Sequence, residues 1–100
     1  MTHETIRLDR YIVTTLLRDL VGHDRHPSAY LVYLHLTIRA TGGRHATVTA
    51  SYEDLATATG LSKSGVQQAV RTLKRRRLIR VERTTPTSIP EYEVLTPWRR

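Results

Sequence analysis

The chain contains no cysteine. Disulfides and thiolate metal sites are therefore excluded, a composition compatible with a reducing compartment. It also lacks any fully apolar run long enough to span a bilayer, and residues 1–20 do not hold the uninterrupted apolar stretch of a secretion signal. These absences predict a soluble, cytoplasmic protein with no membrane partner. The marks of catalysis are missing too: there is no nucleophile elbow, phosphate-binding loop, metal-ligand pair at helical spacing or glycine-rich dinucleotide turn. The neighbouring acids Glu53 and Asp54 fall where a helix is expected to start, and carboxylates there stabilise the N-terminal dipole without catalytic duty. No enzymatic activity, cofactor or small-molecule substrate is expected.

What the chain has in excess is positive charge. Lys and Arg number 16 against 9 Asp and Glu, a net +7 over 100 residues. Between residues 61 and 83 lie Lys63, Arg71, Lys74, Arg75, Arg76, Arg77, Arg80 and Arg83 against the single anion Glu82, so this stretch holds the whole net charge. So concentrated a field points to a polyanion. Cations near a helix C-terminus complement the macrodipole by about 0.3 to 1 kcal/mol each. That accounts for one or two of the four from Lys74 to Arg77, whereas phosphate contact accounts for the run. An anionic membrane fits less well, because the cations sit beside a predicted hairpin and not on a helix with an exposed apolar face.

Apolar periodicity sets the element order. In residues 6–21, Ile6, Val13, Leu16, Leu17, Leu20 and Val21 recur at helical spacing and predict an amphipathic helix that stops before Gly22. Pro27 suits the first turn of a second helix, which carries Tyr30, Leu31, Leu34 and Ile38 on one side and is widened by Val32, Tyr33 and Leu36. Gly42 and Gly43 are expected to end it. Residues 46–50 alternate and predict a short strand. Ser51 with Asp54 three residues on approximates a capping box for a third helix, which halts at Gly60; Ser62 caps a fourth running to about Arg76. Ile79 and Val81 alternate with Arg80 and Glu82, and Tyr92 and Val94 with Glu91 and Glu93, predicting a hairpin tipped by Pro86. The expected fold is mainly α with a small β-hairpin. Residues 1–100 form one domain, in which 1–24 are an extra N-terminal helix and link and 25–100 the core.

Two helices joined by "TGLS", the second basic on its outer face, describe a helix-turn-helix. Here "SYEDLATATGLSKSGVQQAVRTLKRRRLI" resembles the winged helix-turn-helix family of bacterial transcription regulators and replication initiators, over about residues 47–95. Leu55, Ala56 and Leu61 would fill the wedge between the crossed helices, and Gly60 would supply the positive φ of the turn. With Val66, Ala69, Val70 and Leu73 turned inward, donors point outward almost without exception. The resemblance implies a recognition helix, about 62–76, whose N-terminal part enters the major groove of double-stranded DNA. Lys63, Ser64, Gln67 and Gln68 are expected to read bases, glutamine suiting adenine and lysine guanine, while Arg71, Lys74 and Arg75 mainly bind phosphates. The hairpin, about 78–95, is then the wing, reaching the backbone or minor groove with Arg80, Arg83, Thr85 and Thr87.

Two residues depart from the family pattern. Gly65 stands where Ser, Thr or Ala is usual, costing roughly 1 kcal/mol in a helix interior, either to permit close approach to DNA or as a tolerated defect. Arg77 replaces the glycine common just before Leu-Ile, where a left-handed cap is expected. The resemblance also implies a homodimer through the N-terminal helix, although that helix's apolar stripe equally fits the domain's own core. The function expected is that of a sequence-dependent DNA-binding transcription regulator. A plasmid or phage replication or partition protein, or a module binding an acidic protein or RNA, shares the same chemistry. His23, Asp24 and His26 crowd one loop, but without further ligands they are expected to form a polar loop and no metal site. Trp98 is expected in the core, as a lid, or at a subunit interface.

Overall fold

The computed structural model describes residues 4–40 and 46–99. An N-terminal arm of two π-helical segments, Ile12–Leu16 and Arg18–His23, is followed by α1 (Pro27–Arg39), β1 (Thr47–Thr49), α2 (Tyr52–Thr59), α3 (Lys63–Arg75), β2 (Ile79–Glu82) and β3 (Glu91–Val94). This is the winged helix-turn-helix expected from the residues, with the extra N-terminal helix in place. Gly42 and Gly43 lie outside the described residues.

The arm departs most from expectation. Residues 10–23 are helical throughout, so Gly22 sits inside the helix and does not end it. The turns are widened: the N–H of Leu17 reaches the carbonyl of Ile12 and that of Asp24 the carbonyl of Asp19. The row that packs inward is Ile12, Leu16 and Leu20, each at most 3% exposed. Ile6, Val13 and Leu17, which periodicity placed on the stripe, remain exposed, as does Tyr11. One row at four-residue steps is enough to seat the arm on α1, leaving its neighbouring row outside. Arg25, at φ +53°, then turns the chain into α1.

α1 starts on Pro27 at its first turn and buries Ala29, Tyr30, Val32, Tyr33 and Leu36. The expected side shifts accordingly: Leu31 is exposed, and Leu34 and Ile38 are half-buried. The Tyr30 hydroxyl donates to the carbonyl of Ile12 across this contact (3.1 Å). α3 crosses the same core and contributes Val66, Ala69, Val70, Thr72 and Leu73. With each large apolar side chain contributing about 1.5 to 3 kcal/mol on full burial, the α1–α3 contact is the main support of α3.

The predicted hairpin is part of a three-stranded antiparallel sheet in the order β1-β3-β2. Val48 and Val81 both stand opposite Tyr92, aligning an inner row whose central ring is completely buried. Burial pushes the Tyr92 phenol well above its ordinary range. The outer face carries Thr47, Glu93 and Arg80 in one row and Thr49, Glu91 and Glu82 in the next. Beyond the sheet, Tyr33 donates from its hydroxyl to the carbonyl of Leu95 (2.8 Å). Trp98 stacks on Tyr11 with ring centroids 4.6 Å apart and donates to the Asp9 carboxylate, which Arg99 also grips through two nitrogens at 2.7 Å. Trp98 therefore closes the C-terminal segment over the arm of its own chain.

Candidate nucleic-acid interface

The helix-turn-helix is assembled by its caps. Ser51 accepts from the Asp54 N–H (3.0 Å), and Asp54 accepts in return from the Ser51 N–H (3.2 Å), completing the capping box that starts α2. Such a cap contributes about 1 kcal/mol. Gly60 ends α2 at φ +78°, a conformation without cost only for glycine, and its N–H bonds the Ala56 carbonyl. Ser62 starts α3 by accepting from the Gly65 N–H at 3.0 Å. Leu55 is fully buried in the wedge, with Ala56 and Leu61 partly buried against it.

Gly65 has a local cause. A β-carbon there would meet the Ser62 Oγ at 3.1 Å, so any larger residue presses on the cap oxygen that holds its own N–H. Arg77 adopts the left-handed conformation its position demands, at φ +57°. The N–H of Leu78 reaches the Leu73 carbonyl (2.9 Å) and that of Arg77 the Lys74 carbonyl (3.0 Å), the paired bonds of a Schellman motif. Leu73 and Leu78 are both buried, which supplies the apolar contact that usually accompanies it.

The inward residues of α3 are those the periodicity indicated, with Thr72 added. Outward, Lys63, Ser64, Gln68, Arg71, Lys74 and Arg75 are exposed, whereas Gln67 is half-buried on the flank of the helix. Among the described residues, Lys63, Arg71, Lys74, Arg75 and Arg77 make no ion pair, and all five belong to α3 or its C-terminal cap. No acidic residue lies in the first turn of α3. The helix therefore presents a field of one sign that its own molecule does not neutralise.

The wing is different. Arg80 and Arg83 are exposed, but Arg80 bridges to Glu93 directly opposite (2.7 Å). Arg83 donates to the Ser88 carbonyl (3.1 Å) while its guanidinium lies 5.3 Å from the centre of the Tyr52 ring. Thr85 is exposed in the tip, its N–H on the Ser88 Oγ and its carbonyl accepting from the Ser88 N–H. Glu82 and Glu91 face each other across the strands, an unfavourable like-charge pair. The wing cations thus first organise the wing itself.

Sequence reasoning missed the contacts that tie α3 to the arm. Thr72 is 5% exposed, and its Oγ1 lies 2.7 Å from the His26 Nδ1. Arg76 brings Nε to 3.3 Å from the Asp24 Oδ2, an ion pair without the alignment of a hydrogen bond, and Nη2 to 4.0 Å from the Asp19 Oδ2. The loop crowded with His23, Asp24 and His26 is thus engaged in contacts within the protein, and no group of three potential ligands forms among the described residues. A polar residue inside an apolar row, Thr72 between Val70 and Leu73, was the available signal. Its partner lies 46 residues away, beyond the reach of any local pattern.

Residues 33–87, more than half of the chain, match the MarR family. The structure is similar to the crystal structure of the AntR antimony-specific transcriptional repressor, with a TM-score of 0.53 and 21% sequence identity over 95% of this chain and 74% of that one. No curated protein matches the sequence. No helix among the described residues is long and apolar enough to cross a membrane.

Proposed function

The chain belongs to the MarR family and is a small bacterial transcription regulator that binds DNA, and from that premise we propose that it reads a preferred duplex sequence with α3. The observation that carries this is the set of five cations on α3 and its cap without acid partners among the described residues, displayed beside exposed amide and hydroxyl donors. Lys63, Ser64, Gln67 and Gln68 face base edges in the major groove, and Arg71, Lys74 and Arg75 face phosphates. Arg80, Arg83 and Thr85 bring the wing to the backbone or minor groove, with the Arg80–Glu93 pair reducing the attraction there. The protein acts in the cytoplasm, as one domain over residues 1–100, without catalytic activity.

Two copies pair through the arm, whose outer surface leaves Ile6, Tyr11, Val13 and Leu17 in solvent. An apolar surface of this kind on a small protein is characteristic of a subunit contact. The antimony specificity in the repressor's name does not transfer, because soft metal ions favour thiolates and this chain has no cysteine.

The test is selection from a random-sequence duplex library at near-physiological salt, comparing wild type with Gln67→Ala and Arg71→Ala. Wild type is expected to enrich a motif, palindromic if two subunits bind together. Gln67→Ala should lose preference at one base, worth about 1 to 3 kcal/mol of discrimination. Arg71→Ala should weaken all sequences alike and lower the salt slope by about 1. Weak binding without enrichment in wild type would reduce the basic face to a generic polyanion surface.

A further inference from the structure

We infer that Thr72 and Arg76 are positioning residues that latch the recognition helix to the N-terminal arm, so that a displacement of the arm is passed to the DNA-reading surface. The inference rests on the proposed roles of α3 and the arm. Both contacts converge on one hinge. Asp24 precedes the left-handed Arg25, and His26, which follows it, stands at the N-cap position of α1. Arg76 at the C-terminal cap of α3 grips the acid on the near side of that hinge, and Thr72, one turn earlier, grips the imidazole on its far side. The His26 N–H is itself bonded to the Leu20 carbonyl of the arm (2.8 Å), so the imidazole is fixed to the arm through the backbone.

The chemistry separates Arg76 from its neighbours. Of the cations from Lys74 to Arg77 it alone has acid partners among the described residues, and the Asp24 side chain it meets is only 14% exposed. Its charge serves the interior contact first, while Lys74, Arg75 and Arg77 remain free for phosphate. Apart from the tyrosines, Thr72 is the only buried polar residue among the described ones, and its hydroxyl meets a ring nitrogen of the half-buried His26. An uncompensated hydroxyl there would be costly, so the geometry of the pair restricts how α3 can slide or rotate against the hinge.

The variants Asp24→Asn and Thr72→Val each remove one of the two contacts of the latch while leaving every cation of α3 in place. Hydrogen exchange of the full chain is measured with and without a random-sequence duplex, following amides at 18–26 and 72–78. In wild type, the duplex should protect both segments. In either variant it should bind and protect α3 while the gain in the arm falls below that of wild type. A gain in the arm equal to that of wild type would overturn the inference, since the contact would then be merely structural. If wild type binds no duplex, the DNA reading itself fails, and the free protein decides the latch. Both segments should then exchange faster together in the variants, by about three- to tenfold in Thr72→Val, the range expected for one lost hydrogen bond. Acceleration confined to one segment would overturn it.

Discussion

Replacing Arg77 by glycine should make the protein more stable. Arg77 occupies the left-handed position of a complete Schellman motif at φ +57°. A side chain with a β-carbon there costs about 1 to 2 kcal/mol relative to the right-handed region, and glycine removes that cost. Glycine also enlarges the freedom of the unfolded chain, giving back about 0.4 to 1 kcal/mol. Arg77 is exposed and makes no ion pair among the described residues, so no specific contact is lost. The net gain is about 0 to 1.6 kcal/mol, with a midpoint of about 0.8 kcal/mol that for a domain of this size raises Tm by roughly 3 to 6 °C. Far-ultraviolet circular dichroism follows the helices, and Trp98, the only tryptophan, follows the packing of the C-terminal segment on the arm. Arg77→Ala is the necessary control, because it removes the same charge and keeps the β-carbon. If Arg77→Ala stabilises as much as Arg77→Gly, relief of cation repulsion is the cause and the strain argument is wrong. If Arg77→Gly destabilises, the residue makes a contact that the structure does not reveal.

Gly65→Ala should be nearly neutral in wild type, because about 1 kcal/mol of helix propensity is set against compression of the Ser62 cap; in a Ser62→Ala background denaturation should reveal the full gain. Leu55→Ala, in the wedge of the helix-turn-helix, should cost about 2 to 5 kcal/mol by urea denaturation. The Asp9 carboxyl is held below its ordinary 3.8, first by the hydrogen bond from Arg99 and then by that from Trp98. Its stabilisation is therefore complete above that value and lost as pH falls through the lowered one; Trp98 fluorescence should report the release, and Asp9→Asn should abolish this acid step. Burial, with a smaller contribution from Arg39, lowers the pKa of His35 from 6.5. The unfolded chain then binds its proton more readily, so stability should fall as pH drops below about 6.5, and His35→Gln should flatten that slope in denaturation across the range.

Local chemistry made the central motif legible. Ser51, Asp54, Gly60 and Ser62 each act on a backbone group within four residues, and each does what its residue type suggested. Arg77 was identifiable because it stands where the family pattern places a left-handed glycine just before Leu-Ile, and the backbone keeps that conformation with arginine in the site. The arm was harder. Adjacent rows of its helix are both apolar, and only the position of α1 selects Ile12, Leu16 and Leu20 over Val13 and Leu17. Nothing in the composition distinguishes turns of the π kind from ordinary ones. The pairing of β1 with β3 and the approach of Thr72 to His26 are meetings of distant segments, which periodicity cannot supply. At the interface, the exposed face of α3 was readable, but the engagement of Arg76 by Asp24 and of Arg83 by Tyr52 required knowing where their partners stand.

The strand order β1-β3-β2 also bears on how the molecule is made. The central strand is the last to leave the ribosome, so β1 and β2 are synthesised with no neighbour to pair with, and each exposes backbone groups that invite another nascent chain. The helices meet no such delay, because α1, α2 and α3 all precede residue 76. Assembly should therefore pass through a helical body with an open sheet, closed in one event when Tyr92 enters between Val48 and Val81. A chain that ended before residue 91 would carry α3 complete, with β1 and β2 present but lacking the strand that joins them.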